Sequence, residues 1–150
     1  MYTRVCHICT IVETSFVAPP NYDTPVPVPS HEVVFKDKIA FLIKLATTIT
    51  KQRPGALICY IAGKVTGLPK AEVRSKFAKK KLEMELKGFI VLNPIDFIGP
   101  DENWQIAMRM ALPLLMMSDV ICMLPCWRDS DGAKIEFEMA AKFGISTITE

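Results

Sequence analysis

Residues 57–69 read LICYIAGKVTGLP. Leu57 to Ile61 is a continuous apolar run bounded by Gly55 and Gly63, which fits a strand covered on both faces rather than one. Such strands belong to parallel sheets, so the flanking sequence should alternate strands with helices. Downstream it does. Lys70 to Lys87 has helical character, with Val73, Phe77, Leu82 and Leu86 toward one side and Gly88 at its stop. Phe89 to Leu92 is a second apolar strand closed by Asn93-Pro94, and Asp101 can cap a helix running to Met117 through Pro113. Val120 to Leu124 is a third strand. Asp129, Ser130 and Asp131 offer caps for a helix to Phe143, ended by Gly144, and Ile145 to Ile148 forms a fourth strand.

The expected fold class is therefore α/β: a flavodoxin/Rossmann-like three-layer sandwich with a parallel sheet of about four or five strands, plus an N-terminal extension and helix. Upstream of the sheet, residues 18–30 hold five of the 11 prolines, which fix φ and remove backbone donors. Residues 1–34 read as a proline-rich, irregular extension. Residues 35–55 read as a helix and linker, since Ile39, Leu42, Ile43, Ala46 and Ile49 recur at helical spacing before Pro54-Gly55. Residues 56–150 are the main domain.

Composition narrows the function classes. At 150 residues, 50% hydrophobic and 23% charged, the chain can build one real core. Its net charge of +2 supplies no global field for nucleic acid or an anionic membrane. The lysine-rich stretch Lys76, Lys79, Lys80, Lys81 and Lys87 is offset by 12 acids against 12 cations over residues 56–150, and reads as a solvated helix face. The longest apolar run, Ile39 to Ile49, carries Lys44 and is too short to span a bilayer, which takes roughly twenty apolar residues. With no signal-peptide pattern, the expected location is cytoplasmic. Five cysteines, Cys6, Cys9, Cys59, Cys122 and Cys126, are an odd number in a chain that needs no disulfide framework. Cys6 and Cys9 have the spacing of half a zinc site whose other half is missing, so neither a metal nor a cofactor is expected.

In parallel α/β sheets a ligand binds at the carboxyl ends of the strands. That directs attention to the segments after Ile61, Leu92 and Leu124. The first holds Gly63, Lys64, Thr66 and Gly67, where a phosphate or sugar could meet close backbone, a cation and a hydroxyl. It is neither a dinucleotide fingerprint nor a Walker loop, and a plain glycine turn into a helix explains it equally well. The third crowds Asp129, Ser130, Asp131, Gly132, Glu136 and Glu138 around a helix start. A carboxylate projecting back over the strand ends can serve as nucleophile or base, while capping explains at least one of the acids.

Taken in order, Tyr60-Ile-Ala-Gly-Lys-Val-Thr-Gly-Leu-Pro69, Val91-Leu-Asn-Pro94, Met108-Arg109, Ser118-Asp119 with the strand to Trp127, and Ser130-Asp-Gly-Ala-Lys-Ile-Glu136 resemble the nucleoside 2-deoxyribosyltransferase-like superfamily, in a poorly characterised, often phage-associated branch. The likeness covers about residues 57–149. It implies cleavage or exchange of the N-glycosidic bond of a deoxynucleoside or its monophosphate, by a glutamate that attacks the anomeric carbon of the sugar. That nucleophile maps onto Glu136. Glu138, about 200° further round a helix, is the runner-up and is expected to be solvated. Asp119 is the second candidate catalytic residue, with a structural role at the strand start equally open. Tyr60, Gly63, Lys64, Thr66, Gly67, Arg109, Asp129, Ser130 and Gly132 are candidate ligand-binding residues. The expected partners are a nucleotide or nucleoside and further copies of the same chain.

Two departures qualify the likeness. Characterised members carry an aspartate on the helix before the third strand, which assists departure of the base; here that position is Ala111. Lys64 stands where many relatives have proline, and an ammonium in the crevice would favour a phosphate-bearing ligand. Three functions compete on these grounds: a glycosidic enzyme, a nucleotide-sensing module without turnover, and an assembly element built on the helix from Phe35 to Gln52.

Overall fold

A computed structural model of the chain describes residues 30–51 and 54–149. The element order is α1 (Ser30–Lys51), β1 (Ile58–Ala62), α2 (Lys70–Leu86), β2 (Ile90–Leu92), α3 (Trp104–Met116), β3 (Val120–Met123), α4 (Asp131–Lys142) and β4 (Ser146–Thr149). Short 3₁₀ turns follow β2 at Pro94–Asp96 and β3 at Trp127–Asp129. The strands form one sheet in the order β2-β1-β3-β4, with every pairing parallel. The fold is thus the flavodoxin/Rossmann-like α/β sandwich that the alternation predicts, with four strands.

β1, β2 and β3 are buried because they feed two cores, whereas the edge strand β4 is largely exposed. Cys59, Ile61, Val91, Val120, Cys122 and Leu124 point to one side and pack against Val73, Phe77 and Met84 of α2. Tyr60, Ala62, Leu92, Ile121 and Met123 point to the other and meet Ala111, Leu114 and Leu115 of α3 and Ala133 and Ala140 of α4. This period of two in side-chain direction explains why apolar runs, not alternating ones, mark the strands. α1 packs beside α3, with Leu42 buried and Phe41 and Ile43 exposed.

Several boundaries differ from the sequence reading. α1 begins at Ser30, directly after Pro29, ahead of the apolar periodicity that starts near Phe35. The irregular extension therefore stops at residue 29 at the latest; residues 1–29, with Cys6 and Cys9, lie outside the described residues. α3 is capped by Asn103, whose side chain accepts from Gln105 N at 2.9 Å, and not by Asp101, which is ion-paired to Lys70. On α2 the buried residues are Val73, Phe77, Lys80 and Met84, which share one face at the helical period, whereas Leu82 and Leu86 fall outside it and are 59% and 80% exposed. The lysine-rich face is correspondingly not all solvated. Lys80 is 7% exposed and pairs with Glu83, and Lys76 is half-buried. Glu83, bonded by Lys80 and Lys87, has its pKa lowered to about 2.

Among the described residues no helix is long and apolar enough to cross a membrane.

Candidate functional site

The connections reverse direction between β1 and β3: from β1 the chain leaves through α2 to β2, then returns through α3 to β3 on the other side. At such a switch point the loops after the two strands part and leave a crevice. A cavity of about 430 Å³ occupies it, within the roughly 300–1,000 Å³ of small-molecule sites.

Glu136 forms part of this cavity's lining from the second turn of α4. The helix is set there by two features of its start. Ser130 caps it, its hydroxyl accepting from Ala133 N at 3.3 Å. Gly132 lets it approach α3, since a Cβ at that position would come within 3.1 Å of Met108 Sδ. Glu136 is only 6% exposed, and Tyr60 in β1 donates its hydroxyl to Oε1 at 2.6 Å. No fully buried side-chain oxygen lacks a partner among the described residues, so Oε2, for which none is seen, is left open to the cavity. Burial raises the Glu136 pKa to about 7, against the opposing pull of the Tyr60 bond. Burial, together with the Glu136 charge, holds the Tyr60 phenol well above its ordinary value, so it remains a donor.

The glycine turn after β1 forms the adjoining wall. Gly63, Thr66 and Gly67 line the same cavity as Glu136. Gly67 has a φ of +80°, where an L side chain is disfavoured. At Gly63 the need is for space: a Cβ would sit 2.9 Å from Leu124 Cβ. Lys64 faces a second hollow, shared with Asp129 and Asp131 and separated from the first by Thr66, Trp104, Ser130 and Gly132, which border both. The lysine and the glutamate thus flank one common wall and do not open into a single hollow.

Lys64 and Asp129 border only the second hollow, and three candidates, Asp119, Arg109 and Glu138, line neither. Asp119 lies at the amino-terminal end of β3, the end of the sheet opposite the crevice, where Oδ2 accepts from Ile58 N at 2.8 Å. Its backbone N–H donates to Ile58 O and its carbonyl accepts from Ser146 N, so it joins the starts of β1 and β4 to β3. It is a strand-joining residue; distance from the crevice removes it from the catalytic candidates. Arg109 is exposed on α3 and does not line the cavity, although its neighbour Met108 does. Glu138 is exposed, as its position on the helix requires.

Residues that the sequence reading passed over complete the cavity. Trp104 stands at its edge, Lys70 and Arg74 come from the first turns of α2, and Ile95, Ile98 and Pro100 come from the segment between β2 and α3. That segment is tied down by ion pairs, Lys81 to Asp96, Lys70 to Asp101 and Lys38 to Glu102. The rule that ligands sit at strand ends had marked the region after Leu92, but no chemistry-bearing motif there singled out a residue. Ala111 is buried and lines the cavity, so α3 presents a methyl group to the crevice at this position. No group of three or more metal-ligating side chains occurs among the described residues.

Residues 57–149 match the family described as a domain of unknown function, DUF4406. The match begins just before β1 and ends with β4, taking in all four described strands and the whole cavity. No curated protein matches the chain.

Proposed function

The chain belongs to the DUF4406 family, and we propose that it binds a nucleoside or its monophosphate in the switch-point cavity and cleaves or exchanges the N-glycosidic bond, with Glu136 as nucleophile. One observation carries the reading: a buried carboxyl whose Oε1 is held by Tyr60 and whose Oε2 is left open to a ligand-sized cavity. In this reaction Oε2 attacks the anomeric carbon as the bond to the base breaks, and the base departs with the electron pair. Ala111 can give it no proton, so water protonates it. A second base or water then attacks the same carbon and frees the carboxylate. With a pKa of about 7, near half of Glu136 is ionised at neutral pH and able to attack. Lys70 and Arg74, cations that line the cavity itself, support a phosphate-bearing ligand there, in place of Lys64, which faces the other hollow beside Asp129 and Asp131. The setting we propose is cytoplasmic, with Cys59 and Cys122 as buried thiols, and the chain acts as a homo-oligomer.

Ala111 favours a second reading, a sensing module that binds the same ligand without turnover. Incubation of wild-type protein and Glu136→Gln with deoxy- and ribonucleoside monophosphates, with detection of free base, separates the two. The enzyme reading expects base release from wild type and a loss on the order of 10³-fold or more in the variant, with binding retained. Saturable binding without free base moves the assignment to the sensing module. Unchanged base release in the variant refutes Glu136.

A further inference from the structure

Outside the cavity, two reactive side chains from different elements meet. Lys76 lies on α2 three residues after the buried Val73 and is itself half-buried. Cys126 follows β3 at the entry to the 3₁₀ turn Trp127–Asp129. Lys76 Nζ is 3.3 Å from Cys126 Sγ and also donates to Lys64 O at 2.5 Å, which fixes the amine beside the sulfur. Both residues are half-buried, open enough for a small oxidant and constrained enough to stay paired.

The other described thiols are placed differently. Cys59 and Cys122 are 0% and 1% exposed, and the hydrogen bond between them, with burial, pushes the Cys59 thiol up. Oxidation susceptibility follows exposure and thiolate character, so Cys126 is the described cysteine that a peroxide would reach.

We propose that Lys76 and Cys126 are the site of an oxidation-dependent covalent cross-link, a sulfur–nitrogen bond formed in response to peroxide. Peroxide takes two electrons from the Cys126 sulfur, leaving one oxygen as sulfenic acid and releasing the other as water. After the Lys76 ammonium loses a proton to solvent, its nitrogen lone pair attacks the sulfur. The sulfur–oxygen bond breaks, and the departing hydroxide collects the proton shed by nitrogen as a second water. The protein loses two hydrogens in all, and a thiol reductant returns the free thiol and amine. The bond would fasten α2 to the segment that leads through Asp129 and Ser130 into α4, the segment bordering the Lys64 hollow. Neither partner lines either hollow, so the cross-link stands apart from the glycosidic proposal.

The test treats the reduced full-length chain with hydrogen peroxide, blocks remaining thiols, digests with trypsin and reads the peptides by mass spectrometry. The expected product joins the Lys76 and Cys126 peptides, weighs two hydrogens less than their sum, shows no cleavage after Lys76, and reverts with dithiothreitol. Lys76→Arg and Cys126→Ser should each abolish it while far-ultraviolet circular dichroism stays unchanged. Cys126 recovered as sulfinic or sulfonic acid, or in a disulfide with Cys6 or Cys9, with normal cleavage after Lys76, would overturn the proposal.

Discussion

Asp119 and Glu136 are both carboxylates that accept a hydrogen bond from β1, yet they sit at opposite ends of the sheet. Asp119 takes the Ile58 backbone N–H at an exposed strand start; Glu136 takes the Tyr60 hydroxyl where it is almost wholly buried. The first spends its oxygen on a backbone donor that would otherwise lack a partner. The second is held by one oxygen and keeps the other toward a cavity, under a burial penalty that raises its pKa to about 7. Residue type is shared; surroundings make one a joint and the other a reactive group.

The contrast breaks most visibly in stability against pH. The folded Glu136 carboxyl holds its proton to about 7, whereas its ordinary value is 4.5, so the fold opposes its ionisation. Its stabilising contribution is complete below the ordinary value and is lost as pH rises through about 7. Relative to Glu136→Gln, wild type should lose about 3 kcal/mol between pH 4 and pH 8 in denaturant unfolding. A difference that stays flat over that range would place Glu136 with Asp119. A smaller effect is expected at the other end of the sheet: Asp119→Ala should cost about 1 kcal/mol, because Ile58 N exchanges its acceptor for water, and Asp119→Asn should recover part of it. Ligand binding should be untouched in both variants; weakened binding would return Asp119 to the site. The smallest effect sharpens the Glu136 side. The Tyr60 bond favours the carboxylate, so Tyr60→Phe should move the pH of half-maximal base release upward by about one unit. A downward move would mean that the phenol acts on the neutral form.

The sheet was legible because strands buried on both faces must be apolar throughout, and Cys59 to Ala62 and Val120 to Leu124 are. Strand ends were less so: Leu57 is apolar but 53% exposed, and β1 runs from Ile58 to Ala62 instead. The α3 cap was ambiguous for a chemical reason, since Asp101 and Asn103 both have capping side chains and only the turn geometry selects Asn103. At the site, Glu136 was marked by the resemblance and by its place on the helix that follows the third strand. Trp104, Arg74 and Ile98 could not be placed, because they meet only when α2 and the connection from β2 into α3 converge at the switch point. Asp119 and Lys64 show the converse limit. Each carries the right chemistry near a strand, but the end of the strand and the side of the turn decide where it faces, and neither is written in local pattern.

The most direct test is to look for the sugar on the protein. Wild-type chain incubated with a 2-deoxy-2-fluoro nucleoside monophosphate, whose fluorine slows breakdown of a glycosyl ester, should gain the mass of the sugar phosphate, with the added mass on the peptide that contains Glu136. Ligand bound with no added mass, or the addition found on another residue, would contradict the assignment of Glu136 as the nucleophile.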